Sequence, residues 1–274
     1  MAYPVIDAPY GLKPINLIGG QVFAGSTREY PITNGYSTAI FYGDYVGLSR
    51  GEIVRLSVST GTAGNQTGIF LGCRYTNPVT KQLTFSQYWP ASTASGDAVA
   101  IVSDDPDAVF KAVVCSSGTT IASGARAMIG QNLAMINNTG STATGDSKNA
   151  ALAPSDTPAT TSSLPVRVLG LVPDTAVSLG TVTYTSISTA TVTCSALPFA
   201  LPVGTDVGSL DSNGQYVSSG SFVTTAAAAG ATSFVLNQAP VATLNTTIVL
   251  MQYPEILVKI NFGQHQYYAG TSIA

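Results

Sequence analysis

The chain has 274 residues, long enough for one large or two modest domains with a real apolar core. Only 9% of the residues are charged, against about 25% in an ordinary globular protein, and the formal net charge is −3. The eleven Lys and Arg residues are scattered singly from Lys13 to Lys259, which leaves no basic stripe for nucleic acid, and no apolar run reaches the ~18–20 residues of a membrane span.

The chain opens on "YPVIDAPYGLKPINLIGGQVFAG", Tyr3 to Gly25, apolar yet punctuated by Pro4, Pro9, Pro14 and four glycines. Proline removes ladder donors and glycine weakens strands, so no regular element is expected here. Pro4, Asp7 and Pro9 precede the first basic residue, Lys13, which is not the order of a signal peptide, so the segment is expected to stay on the mature protein. Burying Tyr3, Val5, Ile6, Tyr10, Leu12, Ile15, Leu17, Ile18, Val22 and Phe23 barely balances the backbone entropy of ordering the segment. Residues 1–35 are therefore expected to form an extended arm that another surface completes, either this chain's own barrel or a neighbouring subunit.

Short segments rich in Val, Ile, Thr and Tyr follow, bounded by Gly, Pro, Asn and Asp. Thr38 to Val46, Glu52 to Ser59, Thr67 to Tyr75, Leu83 to Tyr88, Ala98 to Val102 and Val109 to Val114 read as strands, spaced as in an antiparallel barrel or sandwich. Ala125, Met128, Ile129, Asn132, Leu133 and Ile136 carry helical spacing, so a short helix is expected there, its apolar stripe facing the core. Asn137 to Ser163 is too polar for a core strand and reads as a long surface loop.

Strong strands return at "LPVRVLGLV", Leu164 to Val172, and "YPEILVKINF", Tyr253 to Phe262. Between them lies a nearly uncharged, Thr-, Ala- and Ser-rich block with its own strands at Thr181 to Tyr184, Ala190 to Cys194, Asp206 to Leu210, Gln215 to Val217, Phe222 to Thr224, Ser233 to Leu236 and Ile248 to Gln252. Asn213-Gly214 between two alternating runs signals a hairpin, and "TTAAAAGATSFVL" reads as a turn between strands. The fold class expected is all-β: a main antiparallel β-barrel or sandwich over 36–174 plus 253–274, the N-terminal arm, and a second small β-domain over 175–252 inserted before the last strand.

Catalytic constellations are sparse. His265 is the one histidine, with no Cys at metal-ligand spacing and no nucleophile elbow elsewhere, so a structural or interface role is expected. Asp104, Asp105 and Asp107 in "SDDPDAVF" suit either a turn whose side chains cap their own backbone or a hard-cation site, and the turn is the simpler reading. A glycosidase would require two of the few carboxylates, Asp44 and Glu52 among them, to meet across a cleft. Cys73, Cys115 and Cys194 are odd in number and far apart, which points to small buried hydrophobes in a reducing compartment. No cofactor motif is present: "LIGGQVFAG" lacks the Lys-Ser/Thr of a phosphate loop. The sequons at Asn65 and Asn245 match a pattern that is frequent by chance and carry little without a secretion signal. Tyr36, Phe41, Tyr42, Tyr45, Tyr75, Phe85, Tyr88 and Trp89 include candidates for a sugar-stacking face; "FSQYWP", Phe85 to Pro90, is the best candidate for an exposed aromatic surface carrying Tyr88 and Trp89, and an edge strand that packs Trp89 beneath a loop is the simpler reading.

"YGLKPINLIGGQVFAGSTREYPI", "IFYGDYVGL…GEIVRL", "GIFLGCRYTNP", "FSQYWPA", "DDPDAVFKAV", "PVRVLGLVPD" and "PEILVKINFGQHQY" together resemble virion structural proteins of tailed phages of aquatic bacteria. The resemblance covers most of Tyr10 to Val172 and the final strand, and rests on the order and texture of the whole set. It implies a capsid cement or decoration protein, commonly trimeric, made in the bacterial host cytoplasm and placed on the outer capsid surface, where it clamps capsomers of the major capsid protein. That function is mechanical and non-enzymatic. The alternative is a carbohydrate-binding adhesin, or a tail or neck module contacting the host surface.

Overall fold

The computed structural model describes residues 6–57, 66–153, 162–241 and 244–268. Tyr3 and Asn65 lie outside them. Alternation of apolar and polar residues between glycine- and proline-rich turns produces a chain of short strands. Along the first half run β1 (Lys13–Leu17), β2 (Arg28–Pro31), β3 (Ile40–Phe41), β4 (Tyr45–Ser49), β5 (Glu52–Arg55), β6 (Gly68–Thr76), β7 (Leu83–Ser86), β8 (Tyr88–Trp89), β9 (Val99–Ser103), β10 (Ala108–Ser117) and β11 (Thr120–Ile121). The second half adds β12 (Asn132–Leu133), β13 (Met135–Ile136), β14 (Ala150–Leu152), β15 (Val166–Leu171), β16 (Val177–Ser188), β17 (Thr191–Cys194), β18 (Asp206–Leu210), β19 (Tyr216–Phe222), β20 (Ser233–Val235), β21 (Thr247–Gln252) and β22 (Glu255–Ile260).

The fold is all-β, with several antiparallel sheets. An eight-stranded, nearly closed sheet runs β12-β15-β22-β10-β14-β13, with β1 and β11 also on β10. A six-stranded sheet runs β2-β9-β6-β4-β5, with β7 on β6, and β3 pairs with β8. Tyr45 and Ile69 of the second sheet pack into the main core beside Phe110, Val166 and Val258 of the first. Strands β16 to β21 form a third sheet, β19-β18-β21-β16-β17-β20, around a separate cluster that includes Val192, Val207, Phe234 and Leu250. Its first and last strands begin and end side by side, Val177 opposite Gln252.

Two contacts seat the third sheet against the first. Phe222 packs on Ala125 and Met128, and Ser123 donates its backbone N–H to the Val203 carbonyl at 2.9 Å. At that junction Gly204 has φ +83°, and a Cβ there would lie 1.8 Å from the Ser123 carbonyl oxygen. Only glycine lets the two backbones approach this closely.

Four sequence expectations are corrected. The Ala125–Ile136 helix is a 3-10 turn, Arg126–Met128, followed by β12 and β13. Gly130 donates to the Val168 carbonyl and Asn132 pairs with Arg167, so sheet hydrogen bonds outcompete a helix too short to stand alone. The polar 137–163 segment contains a core strand after all: β14 runs parallel to β10, with Ala150 and Ala151 fully buried. Alanines fit where two backbones crowd, and their small size hid the strand.

The span Thr38 to Val46 breaks into β3 and β4 at Gly43, where Asp44 accepts the Phe41 N–H at 3.0 Å. Finally, the opening segment does hold a strand. β1 pairs antiparallel with β10, and its ladder shifts between Pro14 and Asn16, a bulge that absorbs the proline. β2 likewise pairs with β9, so the expected extended arm is in large part sheet.

Candidate functional site

The opening segment is fastened to its own barrel. Gly11 donates to the Asn149 carbonyl and Leu12 to the Gly43 carbonyl, both at 3.0 Å. Leu12 is 0% exposed within the main core, so of the two surfaces expected to complete the segment this residue meets the chain's own barrel. Tyr10 is half-buried; its hydroxyl donates to Glu255, a buried carboxylate whose Oε1 also lies 3.1 Å from Lys111 Nζ. Burial and this carboxylate raise the Tyr10 pKa. Ile6 and Tyr10 pack on Val113 and Cys115, and Leu17 packs on the main core.

Beyond β1 the picture changes. Leu17 and Gln21 close a turn at 2.8 Å, Ile18 donates to the Asp107 carbonyl at 3.0 Å, and Asn16 bridges Val22. The backbone is therefore held, yet Ile15, Ile18 and Val22 stand exposed, Val22 at 79%, while Phe23 is half-buried. A second apolar group projects from the β6–β7 hairpin: Val79, Leu83 and Phe85, the last 71% exposed. Alternation along β7 puts Leu83 and Phe85 on one apolar face, which reads as a buried face, so the exposure of Phe85 carries no signal in the sequence.

Trp89 does not contribute to an exposed aromatic surface. It is 0% exposed, edge-on to Tyr75, and its indole N–H donates to the Tyr36 carbonyl at 3.3 Å. Its neighbour Tyr88 is half-buried and stacked on Phe41, with centroids 5.6 Å apart. In "FSQYWP" the exposed ring belongs to Phe85.

The acidic side chains are engaged in structural networks. Asp44, fully buried, lies 2.7 Å from Arg55 Nε and accepts from Ser147 at 2.5 Å and Asn149 at 3.0 Å. Burial pushes its carboxyl up, against the pull of Arg55. Asp104 accepts from Tyr30 at 2.8 Å and Tyr267 at 2.6 Å, with Arg28 Nε at 3.3 Å. Asp105 caps the Asp107 N–H at 2.8 Å, and Asp107 pairs with Lys259 at 3.4 Å, so "SDDPD" is a turn.

His265 is buried and bridges Gln66; its Nδ1 accepts the Tyr267 N–H at 3.3 Å, and burial lowers its pKa against the opposing pull of Asp104. Asp206 accepts from Tyr216 at 3.0 Å and Ser218 at 2.9 Å, and burial raises its pKa to about 6. Among the described residues no three His, Cys, Asp or Glu side chains gather as metal ligands. The three cysteines are free and buried; burial pushes the Cys73 thiol up to about 12 and Cys115 to about 11. Among the described residues no helix is long and apolar enough to cross a membrane.

Between β1 and β7 lies an open groove of about 570 Å³. Lys13, Tyr42, Phe85, Gln87 and Asp146 line its walls, and Gly72, Cys73 and Ile101 belong to its floor. Strand β1 contributes Lys13 and the turn after β3 contributes Tyr42, while Asp146 comes from the loop that bridges Tyr42. No protein-family model, curated protein or solved structure matches the chain.

Proposed function

We propose that the chain is a structural virion protein that works by binding: a capsid cement or decoration protein of the tailed-phage kind, acting as a homo-oligomer, which we take to be a trimer. In this reading it sits on the outer capsid surface and bridges neighbouring capsomers of the major capsid protein, without catalysis. One observation carries the reading: Ile15, Ile18 and Val22 are held exposed on a backbone that β1 and the Asp107 contact fix in place. Apolar side chains held exposed on a fixed backbone cost solubility unless a partner covers them.

Other features support the same reading. With 9% charged residues the surface suits coverage by neighbours better than free solution. The buried carboxylates Asp44, Glu255 and Asp206 are each occupied by partners that hold strands together. A clamp that joins several interfaces of ordinary size, about 1,200–2,000 Å² each, gains strength through effective concentration and needs no reacting group.

Quantitative mass spectrometry of purified virions tests the proposal. The expected result is this chain at a copy number comparable to that of the major shell subunit. Its absence from virions, or presence only in trace, would overturn the proposal.

A further inference from the structure

We propose that the groove between β1 and β7 is a binding site for a pyranose saccharide. This inference is independent of the assembly reading, since it rests on a different surface and a different ligand.

The chemistry of the walls selects the ligand. Phe85 presents a ring that is 71% exposed, an apolar platform on which one C–H face of a sugar ring can lie. Around it stand polar atoms of both kinds. Gln87 Nε2 donates to Asp146 Oδ1 at 3.1 Å, and Lys13 Nζ lies 3.8 Å from the same oxygen and 4.5 Å from the Tyr10 ring centroid. No described residue bonds Asp146 Oδ2, Gln87 Oε1 or the Tyr42 hydroxyl, which leaves two acceptors and a hydroxyl able to donate or accept. Each sugar hydroxyl both donates and accepts, so it can use such a mixed set.

Other ligand classes fit less well. One Lys and one Asp leave the walls without net charge, which disfavours a phosphate or a highly charged peptide. The polar wall atoms disfavour an acyl chain, which would leave them unpaired. The volume of about 570 Å³ lies in the usual ligand range of about 300–1,000 Å³.

The groove is also preformed. Ser141 donates to the Asp146 carbonyl at 2.9 Å, Tyr42 to the Gly145 carbonyl at 3.0 Å, and Ser147 to the Tyr42 carbonyl at 2.9 Å. Gly145 has φ +77°, and a Cβ there would come within 3.0 Å of the Gln87 Cβ, so glycine brings Asp146 up to Gln87. A fixed wall reduces the ordering cost of binding.

Saturation-transfer NMR with the methyl glycosides of glucose, galactose, mannose and N-acetylglucosamine, each in turn, tests the proposal on the full chain, with amide shifts mapped in parallel. At least one glycoside should receive saturation at its ring C–H protons, with shifts centred on Tyr42, Phe85, Gln87 and Asp146. Phe85→Ala and Asp146→Asn should each weaken that binding by about tenfold. Leu83→Ala, on the same strand and outside the groove, should bind as the parent does. Thermal melting checks that the variants fold, as expected for an exposed ring and a carboxylate at the surface. Saturation of none of the four glycosides, shifts mapping elsewhere, or undiminished binding by Phe85→Ala and Asp146→Asn would overturn the proposal.

Discussion

Asp206 sits at the start of β18, beyond the reach of water, and its carboxyl protonates at about 6 in the folded chain against 3.8 ordinarily. Between those two values the native state binds more protons than the unfolded state. Stability therefore falls as pH rises through the window and levels off above it. Asp206→Asn should remove about 3 kcal/mol of that fall, read from urea unfolding at several pH values. His265 is pushed the other way by burial and costs stability on acidification, so the difference between parent and variant isolates Asp206. Equal pH slopes in the two proteins would contradict the account. At Asp44 the logic is that of a broken pair: Arg55→Leu leaves a fully buried carboxylate without its cation and should destabilise the fold by about 3–5 kcal/mol in the same assay.

Elements are legible where a run carries large apolar or β-branched side chains and hidden where it does not. β18 and β22 lie within the runs read as strands, β21 begins one residue before its run, and Asn213-Gly214 does form the hairpin turn, with Asp211 capping the N–H groups of Asn213 and Gln215 at 2.8 Å. By contrast, β14 was illegible because its buried side chains are alanines, and β1 because Pro14 masks a strand that a bulge permits. The same limit applies to the candidate site. Leu12 and Val22 look alike in sequence, yet one is core and the other exposed, a difference set by the long-range pairing of β1 with β10. The Phe85 groove was out of reach for the same reason, since its walls come from residues as distant as Lys13 and Asp146. Gly204→Ala provides a test at this scale. With φ +83° and the Ser123 carbonyl 1.8 Å from the new Cβ, one backbone must move, and a loss of at least about 2 kcal/mol in thermal or urea unfolding is expected. An unchanged midpoint would mean that the third sheet does not press on Ser123 as described.

At the scale of the molecule, Tyr45 and Ile69 carry the second sheet into the core of the first, while that sheet also keeps a cluster of its own around Phe70 and Trp89; the third sheet has a separate core, joined mainly through Phe222, Met128 and the Gly204 junction. Removing the opening 25 residues would take out Leu12 and β1, so deletion damages the barrel and cannot isolate a role in assembly. Charge placed on the exposed side chains does isolate it. Sedimentation velocity over a concentration series, on the parent and on the Ile18→Asp, Val22→Asp double variant, tests the central claim most directly. The parent is expected to sediment as a trimer, and the variant, with an unchanged circular dichroism spectrum, as a monomer. A parent chain that is monomeric at every concentration would contradict it.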